Sequence, residues 1–210
     1  MRDRTAFIRM GGRLVVLLVA ALVACGESVP ALPKLGPDDV IVAFGDSLTY
    51  GTGAAAEESY PAVLSTLIGR KVVREGVPGE VTAQGLQRLP DVLEEDRPKL
   101  LLLCLGGNDM LHKIEPSQIE HNLRAMVELA RSRGVAVVLI GVPKPQLFGG
   151  GSADFYERVA RDYGLPLESG ILKGVLFDNQ FKSDPIHPNG KGYRRMAEAV
   201  AVLLRKAGAV

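Results

Sequence analysis

The sequence predicts an α/β fold, a three-layer sandwich in which helices cover both faces of a central parallel sheet of about five strands. Short β-branched and apolar runs typical of strands buried on both faces occur at 39–44, 100–105 and 135–140, with a weaker run at 71–75. Stretches with helical apolar spacing separate them. Strands that alternate with helices in this way form right-handed βαβ units and therefore a parallel sheet.

Four segments have the apolar spacing of amphipathic helices, at residues 57–68, 82–95, 116–133 and about 191–206. The third is the clearest, because its apolar residues fall on one helical face: Ile119, Leu123, Met126, Val127 and Ala130. The connection at 142–153 is rich in proline and glycine, so it is predicted to be a loop.

Length and composition favour one folded domain. The chain has 210 residues, of which 47% are hydrophobic and 23% charged, close to the average for globular proteins. The formal net charge is +1, but the first 13 residues contribute +3, so the remainder carries −2. An acidic body argues against nucleic acid as a partner. The sequence leaves the oligomeric state open, with a monomer as the simplest case.

The N-terminal segment predicts export. Four arginines precede an apolar run of eleven residues, 14–24, which is much shorter than the roughly 20 residues of a membrane-spanning helix. Residues 1–24 are therefore interpreted as a signal peptide. The sequence LVAC at 22–25 is similar to a bacterial lipobox, whose cysteine is lipidated and becomes the mature N-terminus.

This interpretation divides the chain into a signal peptide at 1–24, a tether at 25–37 and a folded domain at 38–210. We expect the mature protein to lie in the periplasm or on the cell surface, held on a membrane through a lipid on Cys25. An ordinary cleaved signal, with Cys25 incidental, is the alternative.

Four polar blocks follow predicted strands or precede the last helix. They are GDSLTYG at 45–51, GVPGE at 76–80, GGND at 106–109 and DPIHPNG at 184–190. In an open parallel sheet, ligands bind outside the carboxyl ends of the strands. We therefore expect a serine, a glycine, an asparagine and a histidine with a nearby aspartate to meet at this edge.

These residue types fit the chemistry of acyl transfer. Ser47 is the candidate nucleophile and His187 the candidate base, because neutral imidazole titrates near working pH. Asp184 can accept the other ring N–H and so orient the imidazole. The backbone N–H groups of Ser47 and Gly79 and the side-chain amide of Asn108 are candidate donors to the oxyanion.

Four apolar residues near these blocks are expected to line an acyl site: Met110, Leu111, Leu147 and Phe148. No metal site is assigned, because His112 and His121 have no ligand-like spacing with other histidines, cysteines or carboxylates. Cys104 lies inside an apolar strand, so it is interpreted as a small core residue.

Together the four blocks resemble those of the GDSL or SGNH hydrolases. The resemblance rests on GDSL at 45–48, Gly79, GGND at 106–109 and DPIHP at 184–188, and it extends from about Val40 to the C-terminus. The segment from Gly79 to GGND is most similar to the bacterial periplasmic thioesterase, lysophospholipase and arylesterase branch.

That resemblance implies a flavodoxin-like fold, no cofactor, and hydrolysis of small-molecule acyl esters or thioesters through an acyl-serine. Two features depart from the branch. REG at 74–76 stands where members often carry an asparagine-containing segment, and the loop after the fourth strand has three glycines. Both departures concern substrate preference more than catalysis.

Parts of the sequence also fit other functions. A carbohydrate O-acetyl esterase is one, since related folds also serve sugar esters. A lipid-anchored binding protein without turnover belongs to another class. The pattern GTGAAA at 51–56, with Glu75 beyond it, matches a dinucleotide fingerprint, but six residues separate it from the first strand. No serine has the G-x-S-x-G setting of the α/β-hydrolases.

Lipidation of Cys25 predicts a change in membrane association. Cys25→Ala removes the thiol that would carry the lipid, so we expect the variant to move from the membrane fraction to the soluble fraction. Fractionation of cells that express the full chain measures this, with Ser28→Ala as the matched control. Unchanged membrane association of Cys25→Ala would contradict lipidation.

Overall fold

A computed structural model of the chain describes residues 29–144 and 153–210. Its strands are β1 (Ile41–Gly45), β2 (Val72–Gly76), β3 (Leu100–Cys104), β4 (Ala136–Ile140) and β5 (Leu167–Glu168). They form one parallel sheet in the order β2-β1-β3-β4-β5. The predicted parallel sheet of five strands is confirmed.

Two helical layers cover the sheet. The helices are α1 (Ser47–Tyr50), α2 (Tyr60–Ile68), α3 (Thr82–Asp96), α4 (Gly107–Leu111), α5 (Pro116–Ser132), α6 (Asp154–Tyr163), α7 (Ile171–Leu176) and α8 (Gly190–Lys206). Helix α2 packs against α8, and α5 packs against α3 and α6. Every residue of β1 and β3 is buried. Cys104 is part of that core, and burial raises the pKa of its thiol well above the usual value.

The first long helix begins later than predicted. The sequence pattern suggested residues 57–68, whereas the structure has a 3-10 turn at Ala56–Glu58 and starts α2 at Tyr60. Pro61 explains the difference, because proline lacks an N–H and is tolerated in the first helical turn but not deeper in a helix. Strand β5 and helices α6 and α7 had not been placed from sequence.

Residues 29–37, expected to belong to the tether, lie on the folded domain. The N–H groups of Leu32 and Leu35 donate to the carbonyls of Ala207 and Ala209, at 2.8 and 2.9 Å. The Leu35 side chain is buried in the core. Cys25 lies outside the described residues. Within 29–144 and 153–210, no helix is long and apolar enough to cross a membrane.

Docking of this segment predicts a measurable contribution to stability. Leu35→Ala leaves a cavity in the core, so we expect it to lower the free energy of unfolding by about 2 to 3 kcal/mol. Its neighbour Lys34 is exposed, so Lys34→Ala should change little. Urea denaturation of both variants measures the difference, and equal stabilities would show that the segment is a loose tether.

Candidate active site

The site lies where the strand order reverses. The chain passes from β1 to β2 on one side, whereas β3, β4 and β5 continue on the other. Loops that follow β1 and β3 therefore diverge and leave a crevice at the carboxyl edge of the sheet. Ser47 follows β1, and Asn108 lies in α4, just after β3.

Ser47 is the first residue of the short helix α1. Asp46 is the N-cap of that helix, and its Oδ1 accepts the N–H of Leu48 at 3.0 Å. The first N–H groups of a helix have no partner within the helix. Among the described residues, the Ser47 N–H has no hydrogen-bond acceptor. The hydroxyl and a free backbone donor therefore stand at the same position.

Three side chains form a hydrogen-bonded row. His187 Nε2 lies 3.0 Å from Ser47 Oγ, and His187 Nδ1 lies 2.7 Å from Asp184 Oδ2. When Nδ1–H donates to Asp184, neutral imidazole presents the Nε2 lone pair to the Ser47 hydroxyl. The structure thus brings together a hydroxyl and an imidazole that are 140 positions apart.

The loop before α8 holds Asp184 and His187 in place. Asp184 Oδ1 accepts the N–H groups of Ile186 and His187, at 2.8 and 2.9 Å. Partial burial raises the pKa of Asp184, but these bonds and the one from His187 outweigh it and hold the pKa below its usual value. Asp184 therefore remains a carboxylate beside the ring.

Asn108 faces the same crevice with its donors occupied. Its side-chain Nδ2 donates to Asp46 Oδ2 at 3.3 Å and to the Glu80 carbonyl at 3.0 Å. An amide NH2 has two hydrogens, so both are engaged. The preceding Gly106 has φ 114°, and a Cβ there would lie 2.6 Å from the Tyr156 hydroxyl, so only glycine fits.

Gly79 lies on the adjoining loop in a left-handed conformation, with φ 82°. Glycine adopts such a conformation without strain. The Gly79 N–H has no acceptor among the described residues. Gly79 does not line the cavity that holds Ser47, Asn108 and His187, although its neighbour Glu80 accepts the Asn108 amide.

A largely apolar cavity of about 300 Å³ opens beside Ser47, Asn108 and His187. Its other lining residues are Asp46, Leu48, Gly107, Leu111, Val142, Pro143, Lys144, Leu176, Phe177, Lys182, Pro185 and Ile186. The shape suits an apolar chain whose polar end lies near Ser47. Sequence reasoning missed Leu176, the last residue of α7, and Phe177, which follows it, because it had not placed that helix.

The four predicted acyl-site residues have different outcomes. Leu111 lines the cavity, but Met110 lines a separate groove with Ile114 and Phe155. Successive residues of a helix point about 100° apart, so two neighbours in α4 face different surroundings. Leu147 and Phe148 lie outside the described residues.

Buried polar groups tie α4 to the start of α3. Asp109 is fully buried and accepts the Thr82 N–H, at 2.9 Å from Oδ2, and the Thr82 hydroxyl. Asn122 Nδ2 donates to that hydroxyl at 2.9 Å. A buried carboxylate is stable only when hydrogen-bonded, so Asp109 fixes the segment that follows Gly79 and Glu80.

An arginine holds the Gly79–Glu80 loop from the other side. Arg88 donates to both carboxylate oxygens of Glu80, at 2.8 and 2.9 Å, and to Glu75 at 3.0 Å. Its guanidinium also lies over the Phe44 ring, 4.2 Å from the centroid. Sequence reasoning did not identify this bidentate Arg88–Glu80 salt bridge.

Arg88 also argues against dinucleotide binding. It forms a hydrogen bond with Glu75, the residue that would bind the ribose of a dinucleotide. In addition, Gly51 caps the C-terminus of α1, so the glycines follow that helix instead of opening it. No cluster of three or more potential metal ligands occurs within 29–144 and 153–210.

Asp46 is a buried acid beside the nucleophile. Burial raises its pKa to about 7, and the negative charges of Glu80 and Asp109 add to that rise, against the lowering effect of the Leu48 N–H. The carboxyl group therefore changes charge near neutral pH, directly beneath the site.

Comparison with known proteins places the chain in a family. Residues 43–195 match the GDSL-like lipase/acylhydrolase family, and the chain belongs to it. It is 31% identical to esterase TesA of Pseudomonas aeruginosa over 76% of this chain and 85% of that protein. Identity to thioesterase 1/protease 1/lysophospholipase L1 of Escherichia coli is 29%, covering 80% and 84%.

A solved structure agrees with this assignment. The crystal structure of AlinE4, an SGNH-hydrolase family esterase, superposes with a TM-score of 0.64 at 32% identity, over 84% of this chain and all of that one. The expected family and fold are confirmed. The chain is an ester or thioester hydrolase of this family.

The raised pKa of Asp46 predicts a pH-dependent stability. At pH 5 the folded protein keeps the Asp46 proton and the unfolded chain has lost it, so stability falls as pH rises towards 7. Asp46→Asn should reduce the loss of unfolding free energy between pH 5 and 8 by about 2 kcal/mol.

Urea denaturation at the two pH values measures this difference. Ser47→Ala, which removes no charge, is the neighbouring control and should keep the wild-type pH dependence. An Asp46→Asn variant with that same dependence would show that Asp46 does not titrate in this range.

Proposed function

We propose that this hydrolase uses Ser47, His187 and Asp184 as a catalytic triad on acyl esters or thioesters. The observation that supports this most is the row of bonds at 3.0 and 2.7 Å that joins the three side chains. The row ends at an apolar cavity large enough for part of an acyl chain. A nucleophile, an oriented base and a binding space therefore adjoin.

Acylation begins at the Ser47 hydroxyl. Nε2 of His187 takes its proton while Oγ attacks the acyl carbonyl, so the carbonyl oxygen becomes an oxyanion. The imidazolium keeps its Nδ1–H on Asp184, which stabilises the positive charge. When the intermediate collapses, the bond to the leaving group breaks, and Nε2–H protonates the departing oxygen or sulfur.

The free N–H groups of Ser47 and Gly79 are available to the oxyanion. Asn108 can add a third donor if one of its amide hydrogens leaves the 3.3 Å bond to Asp46. The other hydrogen then keeps the 3.0 Å bond to the Glu80 carbonyl. A preorganised donor of this kind can contribute about 3 to 4 kcal/mol to transition-state stabilisation.

Water then completes the cycle. His187 removes a proton from water, the hydroxide attacks the acyl-serine, and the proton returns to Ser47 Oγ as the carboxylic acid departs. Each turnover consumes one water and regenerates the free hydroxyl. The proposal includes export by residues 1–24 and attachment of lipid to Cys25, supported by the arginine-rich start and the lipobox-like sequence.

The nucleophile can be tested with short 4-nitrophenyl esters. We expect Ser47→Ala to lower kcat about 10³-fold or more, because it removes the hydroxyl that bonds to His187 Nε2 and would form the acyl intermediate. Ser132→Ala removes an exposed hydroxyl elsewhere and should leave kcat unchanged. Stopped assays measure kcat of the wild type and both variants, whose equal thermal stability is checked first.

A fluorophosphonate probe separates this proposal from a binding protein without turnover. We expect covalent labelling of the wild type at Ser47 and none of Ser47→Ala. Substantial hydrolysis by Ser47→Ala, or a wild-type protein that remains unlabelled, would contradict the proposal. Faster release of acetate from acetylated glycans than from short acyl esters would instead favour a carbohydrate O-acetyl esterase.

A further inference from the structure

Lys182 lies on the same loop as His187. Its backbone pairs with Pro188 in a short antiparallel bridge, and the N–H of Ser183 donates to the His187 carbonyl at 2.9 Å. The Asn189 side chain also donates to the Lys182 carbonyl, at 3.3 Å. Lys182 is therefore held at a defined position relative to the imidazole.

Lys182 lines the cavity and has no carboxylate partner among the described residues. It is half-buried, and no carboxylate of the described residues lies within salt-bridge distance. The other lysine of the cavity, Lys144, is paired with Asp154 at 3.2 Å. Residues 145–152 carry no acidic side chain. A half-buried lysine gains from an anion, and no carboxylate of residues 29–144 and 153–210 supplies one at that position.

Position on the His187 loop determines which part of a substrate Lys182 would meet. A general acid must lie within hydrogen-bond reach of the atom that it protonates. The leaving group therefore lies on the His187 side of the scissile bond. The apolar part of the cavity, with Leu111 and Leu176, remains for the acyl chain.

We infer that Lys182 binds a negative charge on the leaving group, and that the enzyme favours acyl esters or thioesters whose leaving group carries a phosphate or carboxylate. This inference rests on the proposed function. Two other residues that line the same cavity are exposed apolar side chains, Phe177 at 60% and Ile186 at 44%. The preferred substrate is thus an amphiphile with an apolar acyl group and an anionic leaving group.

Two pairs of substrates test the inference, each with one acyl chain and two leaving groups. Octanoyl-coenzyme A carries phosphates that octanoyl-N-acetylcysteamine lacks. Likewise, 3-carboxy-4-nitrophenyl octanoate carries a carboxylate that 4-nitrophenyl octanoate lacks. The measured quantity is the ratio of kcat/KM for the charged substrate to kcat/KM for the neutral one.

We expect Lys182→Gln to lower this ratio about two- to fivefold, mainly through KM, which lies in the range for one partly exposed charge pair. Lys182→Arg should retain the ratio. Lys34→Gln removes the same charge from an exposed site in the N-terminal segment and should not change it. If the ratio falls for only one of the two substrate pairs, that pair identifies the preferred anion as phosphate or carboxylate.

Salt provides a second measurement that needs no variant. Raising the ionic strength from about 0.02 to 0.5 M should lower the wild-type ratio, because salt screens an exposed charge pair. A ratio that neither salt nor Lys182→Gln changes overturns the inference, even if Ser47→Ala is inactive. Turnover by Ser47→Ala overturns the proposed function instead, so the two failures are distinguishable.

Discussion

Burial of β1 and β3 on both faces is the constraint on which the rest of the structure depends. Because helices must cover both faces of these strands, the chain can enter and leave the sheet only at the two ends of its strands. Every polar block that follows a strand therefore lies at the carboxyl edge. The reversal of strand order beside β1 then opens the crevice in which Ser47, Asn108 and His187 meet.

Buried acids hold the site in shape. Asp109 and Glu80 fix the loop that carries Gly79, the first through Thr82 and the second through Arg88. Asp46 caps α1 and accepts the Asn108 amide. Burial is the main cause of the raised pKa of Asp46, and repulsion from the negative charges of Glu80 and Asp109 adds to it. The N–H donors and the Arg88 guanidinium offset part of that repulsion.

Local patterns predicted the strands and the four blocks well, because each signal lies within a few consecutive residues. They predicted less where a residue's role depends on direction. Met110 and Leu111 are adjacent apolar residues, yet only Leu111 lines the cavity. Strand β5 has two residues, too few for a periodic signal, and the docking of Leu35 depends on carbonyls near the other end of the chain.

The sequence by itself determined the fold class, the family and the identity of the candidate triad, since periodicity and short ordered motifs are encoded locally. Only the tertiary structure decided the partners of each group. Arg88 binds Glu80, both Asn108 hydrogens are already bonded, and Lys182 lines the cavity with no carboxylate of the described residues within salt-bridge distance. Such pairings join residues far apart in the chain. They are set by distance and direction in the folded state, which residue order does not specify.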